Sequence, residues 1–266
     1  MLRDSLVTLR IPRALDAFSR YYFQLDVLGK SNLALLRDQQ AMLVMNHTAF
    51  FGLECYLLGS QLLSMYPKLD ISTLVWKGFA EGPAGLWFRQ LGCQTASIKV
   101  GRELLSEGKT ILILPEGIDA TDVRNRMNKF HTGYLRMLQE KNVPIIPIGF
   151  YGIDQSIPWL VVHQPYLEEK LMKPVNPDWD FLPIPKVPVF RPTKVVFSIG
   201  EPVYLSAADL ADEDAIHATN RRIKLRVSEL MQDAEIHRSN AIEKSRANKL
   251  YHKLVAGRVS NLRTGK

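Results

Sequence analysis

The chain has 266 residues, 46% of them hydrophobic and 23% charged, which is enough for one large α/β domain or two small ones around a true core and excludes a disordered or fibrous polymer. A formal charge of +7 and a pI of about 9.4 suit either nucleic acid or an anionic lipid surface. No zinc-finger spacing, RNP-like aromatic motif or helix-turn-helix pattern accompanies that charge, so the lipid surface ranks higher and no nucleic-acid partner is expected. Cys55 and Cys93 fit neither a disulfide framework nor a metal-ligand spacing, which points to a reducing, cytosol-facing setting and to no metal. No stretch approaches the roughly 18 uninterrupted apolar residues of a membrane-spanning helix, and no signal peptide is evident.

In chain order, residues 1–20 interleave Leu2, Leu6, Leu9, Leu15 and Phe18 with Arg3, Arg10, Arg13 and Arg20, broken by Pro12. Such a basic amphipathic segment either lies in a membrane interface or packs as an ordinary surface helix. The β-formers of Tyr21 to Val27 predict a strand closed by Gly29, and Ala41 to Met45 a second, more buried one. Leu53, Tyr56, Leu57, Gln61, Leu62 and Met65 recur at helical spacing up to Pro67. Strand-like Ile71 to Trp76 follows, then short helices over about 82–91 and 99–106, the second started by Ser97. A strand at Thr110 to Leu114, a helix over Thr132 to Lys141 and a strand at Pro144 to Phe150 continue the alternation. The pattern implies an α/β fold: a mostly parallel central sheet with helices on both faces.

Seven of the fifteen prolines fall within residues 165–192, which excludes a central strand or a continuous helix there and leaves a long ordered loop or lid. A strand at Val195 to Ile199 follows, and Ser206 is placed to cap a short turn. From Glu213 to about Lys253 one long basic helix is expected, with Ile223, Val227, Leu230 and Ala234 on its apolar face and a frayed end from Arg258. Three regions result: a membrane-contacting segment over 1–20, the main domain over 21–212, and a C-terminal helix and tail over 213–266.

Two familiar chemistries are absent. The run from Gly101 to Thr110 mimics a phosphate-binding loop, but it has six residues between its glycines, where four are needed, and leads into a strand. No G-x-S-x-G nucleophile elbow occurs. What remains is a series of blocks: Asn46-His47 at the end of an apolar run, with an acid at Glu54; Leu114-Pro115-Glu116-Gly117; the bases Arg124, Arg126 and Lys129 ahead of Gly133; Val143 to Pro147; and Gly200-Glu201-Pro202. The first two charged centres each follow an apolar strand, and so should face one crevice at the sheet's carboxyl edge.

In their order these blocks resemble the glycerolipid acyltransferases of the 1-acylglycerol-3-phosphate and lysophospholipid acyltransferase type, whose members carry N-H-x-x-x-x-D, F-P-E-G and V-P-I-x-P. The match spans roughly Gly29 to Pro202. It implies acyl transfer from an acyl thioester, acyl-CoA or acyl carrier protein, to a glycerolipid or lysophospholipid hydroxyl, with no further cofactor and with peripheral attachment to a membrane. His47 would be the general base. Asn46, Glu116 and Gly117 would lie in the substrate site, with Glu116 and Gly117 on the glycerol, and Arg124, Arg126 or Lys129 on a phosphate. Backbone N–H groups near Gly117 or after His47 are candidate oxyanion donors.

The chain also departs from the family pattern. Gly52 stands at the usual aspartate position, and the nearest acid is Glu54. Seven residues along a continuous helix are roughly 10 Å of rise, so Glu54 can serve as the partner of His47 only if a helix begins near Gly52 and the intervening turn folds back. Without that contact the alternative is a lipid-binding relative that has lost catalysis. The family also carries a block between Asn-His and Pro-Glu-Gly that ends in an arginine shortly after a glycine; here it runs from Gly92 to Arg102, with the arginine displaced, which weakens the assignment of Arg102.

Overall fold

A computed structural model describes residues 13–47, 52–81, 85–90, 92–117, 127–156, 159–173, 182–185 and 192–263. Helix α1 (Arg13–Tyr22) leads into strand β1 (Asp26–Leu28), a 3-10 helix (Lys30–Arg37), strand β2 (Met42–Met45) and helix α2 (Leu53–Met65). Next come β3 (Ile71–Val75), α3 (Lys77–Glu81), α4 (Gly85–Gln90), β4 (Cys93–Thr95), α5 (Ile98–Ser106) and β5 (Thr110–Ile113). After α6 (Gly133–Met137) and β6 (Ile145–Tyr151), β7 (Trp159–Val162), α7 (Pro165–Leu167) and β8 (Leu182–Pro185) form an excursion before β9 (Val196–Ile199) and the terminal helix α8 (Glu213–Arg263).

Seven strands make one sheet in the order β1-β9-β6-β2-β5-β3-β4. All neighbours are parallel except β6 and β9, so β9 and β1 run against the other five. The mostly parallel α/β expectation therefore holds. Pleating sends alternate residues of the central strands to opposite faces: Leu43, Met45, Leu112, Ile146 and Ile148 join one core, while Met42, Val44, Ile111, Ile113 and Ile145 join the other. Helix α2 supplies Leu57, Leu58 and Leu62 to the first core, and α5, α6 and α8 cover the second with Leu104, Leu105, Tyr134, Leu135, Ile223 and Val227. With both faces covered, β2 and β5 read as unbroken apolar runs rather than alternating ones. Each fully buried branched side chain among them contributes roughly 1.5–3 kcal/mol relative to exposure. Helix α8 lies against β6 so closely that a Cβ on Gly149 would sit 2.1 Å from the Leu230 backbone; only glycine permits that approach.

Several boundaries differ from the sequence reading. Tyr21 and Tyr22 end α1, where Tyr22 stacks on Phe18 at 4.7 Å, and the strand expected from Tyr21 shortens to Asp26–Leu28. Packing of Tyr22 against the core overrides β-propensity there. Strand β4 was not expected, because three residues are too few to show a period. The helix expected over Thr132 to Lys141 stops at Met137, and α8 continues past Lys253 to Arg263. The Pro-rich region is more structured than a loop. It holds α7, a π-helical turn (Glu168–Met172) and β8, paired with β7 in a separate two-stranded sheet outside the main one. Pro183 and Pro185 are tolerated there because the strand has an open edge. Residues 1–12 of the basic N-terminal segment lie outside the described residues. Among the described residues no helix is long and apolar enough to cross a membrane.

Candidate active site

The site begins with strand register. Val44 of β2 pairs with Ile113 of β5 in parallel, so His47 and Glu116, each three residues after its member of that pair, leave the same carboxyl edge side by side. The His47 N–H, past the last rung of the ladder, donates to Glu116 Oε1 at 2.8 Å. Glu116 Oε2 accepts from the Asn128 N–H at 2.6 Å. Asn46 is buried, and its amide clasps the β6 backbone, donating to the Phe150 carbonyl at 2.9 Å and accepting the Phe150 N–H at 2.7 Å.

The geometric condition on Glu54 is met. Helix α2 starts at Leu53, after Gly52 takes a left-handed conformation with φ of 62°, which glycine adopts without penalty. Glu54, in the first turn of α2, lies with its Oε1 2.5 Å from His47 Nδ1. The Glu54 side chain is fully buried, whereas the imidazole keeps 16% of its surface exposed. A buried carboxylate needs compensation; Glu54 gains it from the imidazole and from its place in the first turn of α2. Burial alone would push the His47 pKa down. The Glu54 charge, its hydrogen bond and the more distant Glu116 charge outweigh burial and hold the imidazole above its ordinary value. Glu116 moves up because of burial, against the pull of its two backbone N–H partners, of His47 and of Lys224 on α8.

The remaining candidates are less concentrated. The Gly117 N–H is spent within its own turn on the Leu114 carbonyl at 3.0 Å, so it is not the oxyanion donor. The residues directly after His47 lie outside the described residues, as do Arg124 and Arg126. Lys129 is exposed. Its neighbour Phe130 is buried and held by Asn220 of α8, whose Nδ2 donates to the Phe130 carbonyl at 2.8 Å while its Oδ1 accepts from the Tyr134 hydroxyl at 3.0 Å. Arg102 fastens α5 to the end of α6, meeting the Arg136 carbonyl at 3.0 Å and Glu140 at 2.6 Å. The sequence reading missed Asn128, which contributes through its backbone, and Asn220 and Lys224, which sit in a helix with no local mark of a site.

Fold and site together define an α/β protein with a histidine–carboxylate pair at the carboxyl edge of its central strands, the histidine following β2 and a second buried acid following β5. A family model described as Acyltransferase matches residues 24–151, the segment that contains both. A 1-acyl-sn-glycerol-3-phosphate acyltransferase of Chlamydomonas reinhardtii is 25% identical over 142 residues, which cover 52% of this chain and 41% of that protein. The chain thus spans about two fifths of the length of that curated relative. The crystal structure of PlsC, a 1-acyl-sn-glycerophosphate acyltransferase from Thermotoga maritima, superposes with a TM-score of 0.51 at 19% identity, covering 82% of this chain and 79% of PlsC; that likeness shows a shared fold. Residues 24–151, just under half of the chain, are thus similar to the Acyltransferase family, in agreement with the resemblance read from the motifs.

Proposed function

We propose that the protein moves a fatty acyl group from an acyl thioester, acyl-CoA or acyl carrier protein, to the hydroxyl of a glycerolipid or lysophospholipid. The contact between His47 Nδ1 and Glu54 Oε1 carries this reading. With Nδ1 engaged, Nε2 takes the hydroxyl proton as the oxygen attacks the thioester carbonyl carbon. Glu54 fixes the tautomer and steadies the imidazolium that forms. The tetrahedral intermediate collapses with loss of the C–S bond, and His47 returns its proton to the departing thiolate. No enzyme nucleophile is needed, and the steps as written call on no metal or cofactor beyond the thioester donor. The reading as a non-catalytic lipid-binding relative rested on the missing acid at position 52; Glu54 beside His47 weighs against it.

The acceptor class comes from the relatives, both of which are named for acylating a lysophosphatidate-type glycerolipid. Peripheral contact with an anionic membrane is part of the same proposal. It is supported by the +7 charge and by Tyr21 and Phe18 of α1, which are 85% and 43% exposed beside Arg20. Aromatic rings next to a cation suit the interface of a bilayer. The test follows thiol release from acyl-CoA and from acyl carrier protein with a panel of lysolipids, with and without anionic vesicles. Native protein should release thiol in an acceptor-dependent way, and His47→Ala should lose about 100-fold or more of that rate. Equal release by both proteins removes the catalytic reading, and indifference to vesicles removes the membrane surface from it.

A further inference from the structure

We infer that Glu116 is a positioning residue, which locates the base by holding the His47 backbone and does not bind the acceptor glycerol. This rests on the reading of His47 as the base. Glu116 is fully buried, and each of its oxygens already has a backbone partner, His47 N–H at 2.8 Å and Asn128 N–H at 2.6 Å. A glycerol hydroxyl bound at this carboxylate would have to compete with or displace one of these charge-assisted bonds, which are stronger than those between neutral groups.

The placement has a structural reason. The His47 N–H lies two residues past the end of β2, where the sheet no longer supplies a carbonyl, and a buried N–H without an acceptor is costly. Glu116 follows the parallel neighbour β5 in matching register and supplies that acceptor. Its second oxygen reaches Asn128, on the far side of the segment 118–126. A second bond joins the same two described stretches, the His131 N–H donating to the Pro115 carbonyl at 2.9 Å. One carboxylate thus ties the base to the start of the stretch that returns toward α6. Asn46 does the matching work on the other side, clamping the residue before His47 to Phe150 of β6. The base is held through its main chain from both neighbouring strands, and the imidazole is then aimed by Glu54.

The distinguishing experiment compares two reactions of Glu116→Gln, whose side chain keeps the volume but offers one acceptor oxygen for two N–H groups. Thioester hydrolysis by water, with no acceptor present, needs His47 but no glycerol site. If Glu116 positions the base, hydrolysis and acyl transfer fall by a common factor of about 10- to 100-fold, the scale of a displaced catalytic group, with the acceptor KM nearly unchanged. A raised acceptor KM with undiminished hydrolysis would overturn the inference and return Glu116 to the acceptor site. A second measurement does not depend on activity, so it separates failure of this inference from failure of the acyltransfer reading. In the amide spectrum the His47 and Asn128 protons of the native chain should lie far downfield, and both should move upfield in Glu116→Gln. Ordinary shifts for these two amides in the native spectrum would overturn the inference even if the variant does not fold.

Discussion

Among the described residues two histidine–carboxylate pairs lie within hydrogen-bond distance, and they have opposite character. His47 and Glu54 meet at 2.5 Å with their side chains 16% and 0% exposed; His237 of α8 and Asp26 of β1 meet at 3.0 Å with 39% and 42% exposed. Asp26 is shared. Lys194 Nζ lies 2.6 Å from the same oxygen, and Arg238, next along α8, donates to the Lys194 carbonyl at 2.7 Å. The outer pair therefore pins α8 to the edge of the sheet, with the acid's charge answered by a lysine. In the inner pair Glu54 faces the imidazole, while the nearby Glu116 adds a second negative charge. Proximity of histidine and acid is common to both. What separates a candidate base from a fastener is burial of the acid and placement at the carboxyl edge of the central strands.

The largest break in this comparison comes from Glu54→Gln, which keeps the shape and removes the charge. Turnover should fall by about 100-fold or more, the typical span for loss of acid–base assistance. The pH profile sharpens the result. As the proposed base His47 would act only when neutral, and its pKa is held above the ordinary imidazole value, so native activity should rise with pH through a midpoint above that value. Removing Glu54 takes away the main upward influence, and the midpoint of the residual activity should move down. Stability carries the opposite sign. A raised histidine pKa stabilises the fold below the unfolded value, and that contribution is lost as pH rises through the folded one. Unfolding of native protein in urea should show this dependence near neutral pH, and Glu54→Gln should flatten it. An unmoved midpoint would mean that the two pairs do not differ in the way described.

Gly52 gives a smaller effect. A Cβ added there meets nothing within 4 Å, so the cost is confined to its φ of 62°, about 1–2 kcal/mol for a residue with a side chain. Gly52→Ala should lower the unfolding free energy by roughly that amount. Because the turn at 52 brings Glu54 back to His47, it should also reduce kcat, whereas Gly52→Asn, better suited to the left-handed region, should recover part of both. Loss of stability with kcat intact would separate the turn from the aim of the acid.

Much of this architecture was legible before the structure. Unbroken apolar runs at Ala41 to Met45 and Thr110 to Leu114 can only be strands buried on both faces, and the charged residues that follow them had to emerge at one edge. The departure at Gly52 was legible too, as a condition on where α2 begins. The work of Asn46 and Glu116 was not. Both are polar residues at strand ends, and whether such a side chain turns toward a ligand or back to a neighbouring backbone is set by register across β2, β5 and β6, which involves partners up to about a hundred positions away. Asn128 was invisible for a related reason, since a backbone N–H leaves no mark on residue type. Tyr21 and Tyr22 misled because local propensity favours a strand there and tertiary packing favours α1.

The smallest effects belong to the outer pair, and their smallness is informative. Asp26 has its pKa lowered: burial works against this, and the Lys194 and His237 hydrogen bonds and charges prevail. A lowered carboxylate pKa stabilises the fold above the unfolded value, and that contribution is lost as pH falls through the folded one. With over a third of Asp26 exposed, solvent screening limits the contribution to at most about 1 kcal/mol. Asp26→Asn should therefore lower stability slightly at neutral pH and leave it unchanged in acid, with melting curves at the two pH values as the readout. His237→Ala should leave acyl transfer within about two-fold of native, because an exposed pair with its own lysine reaches the site only through α8. A large loss of turnover in either variant would show that the seat of α8 on β1 is felt at Asn220 and Lys224, and hence at the segment that Glu116 holds. The outer pair would then belong to the site's support and not to the rim.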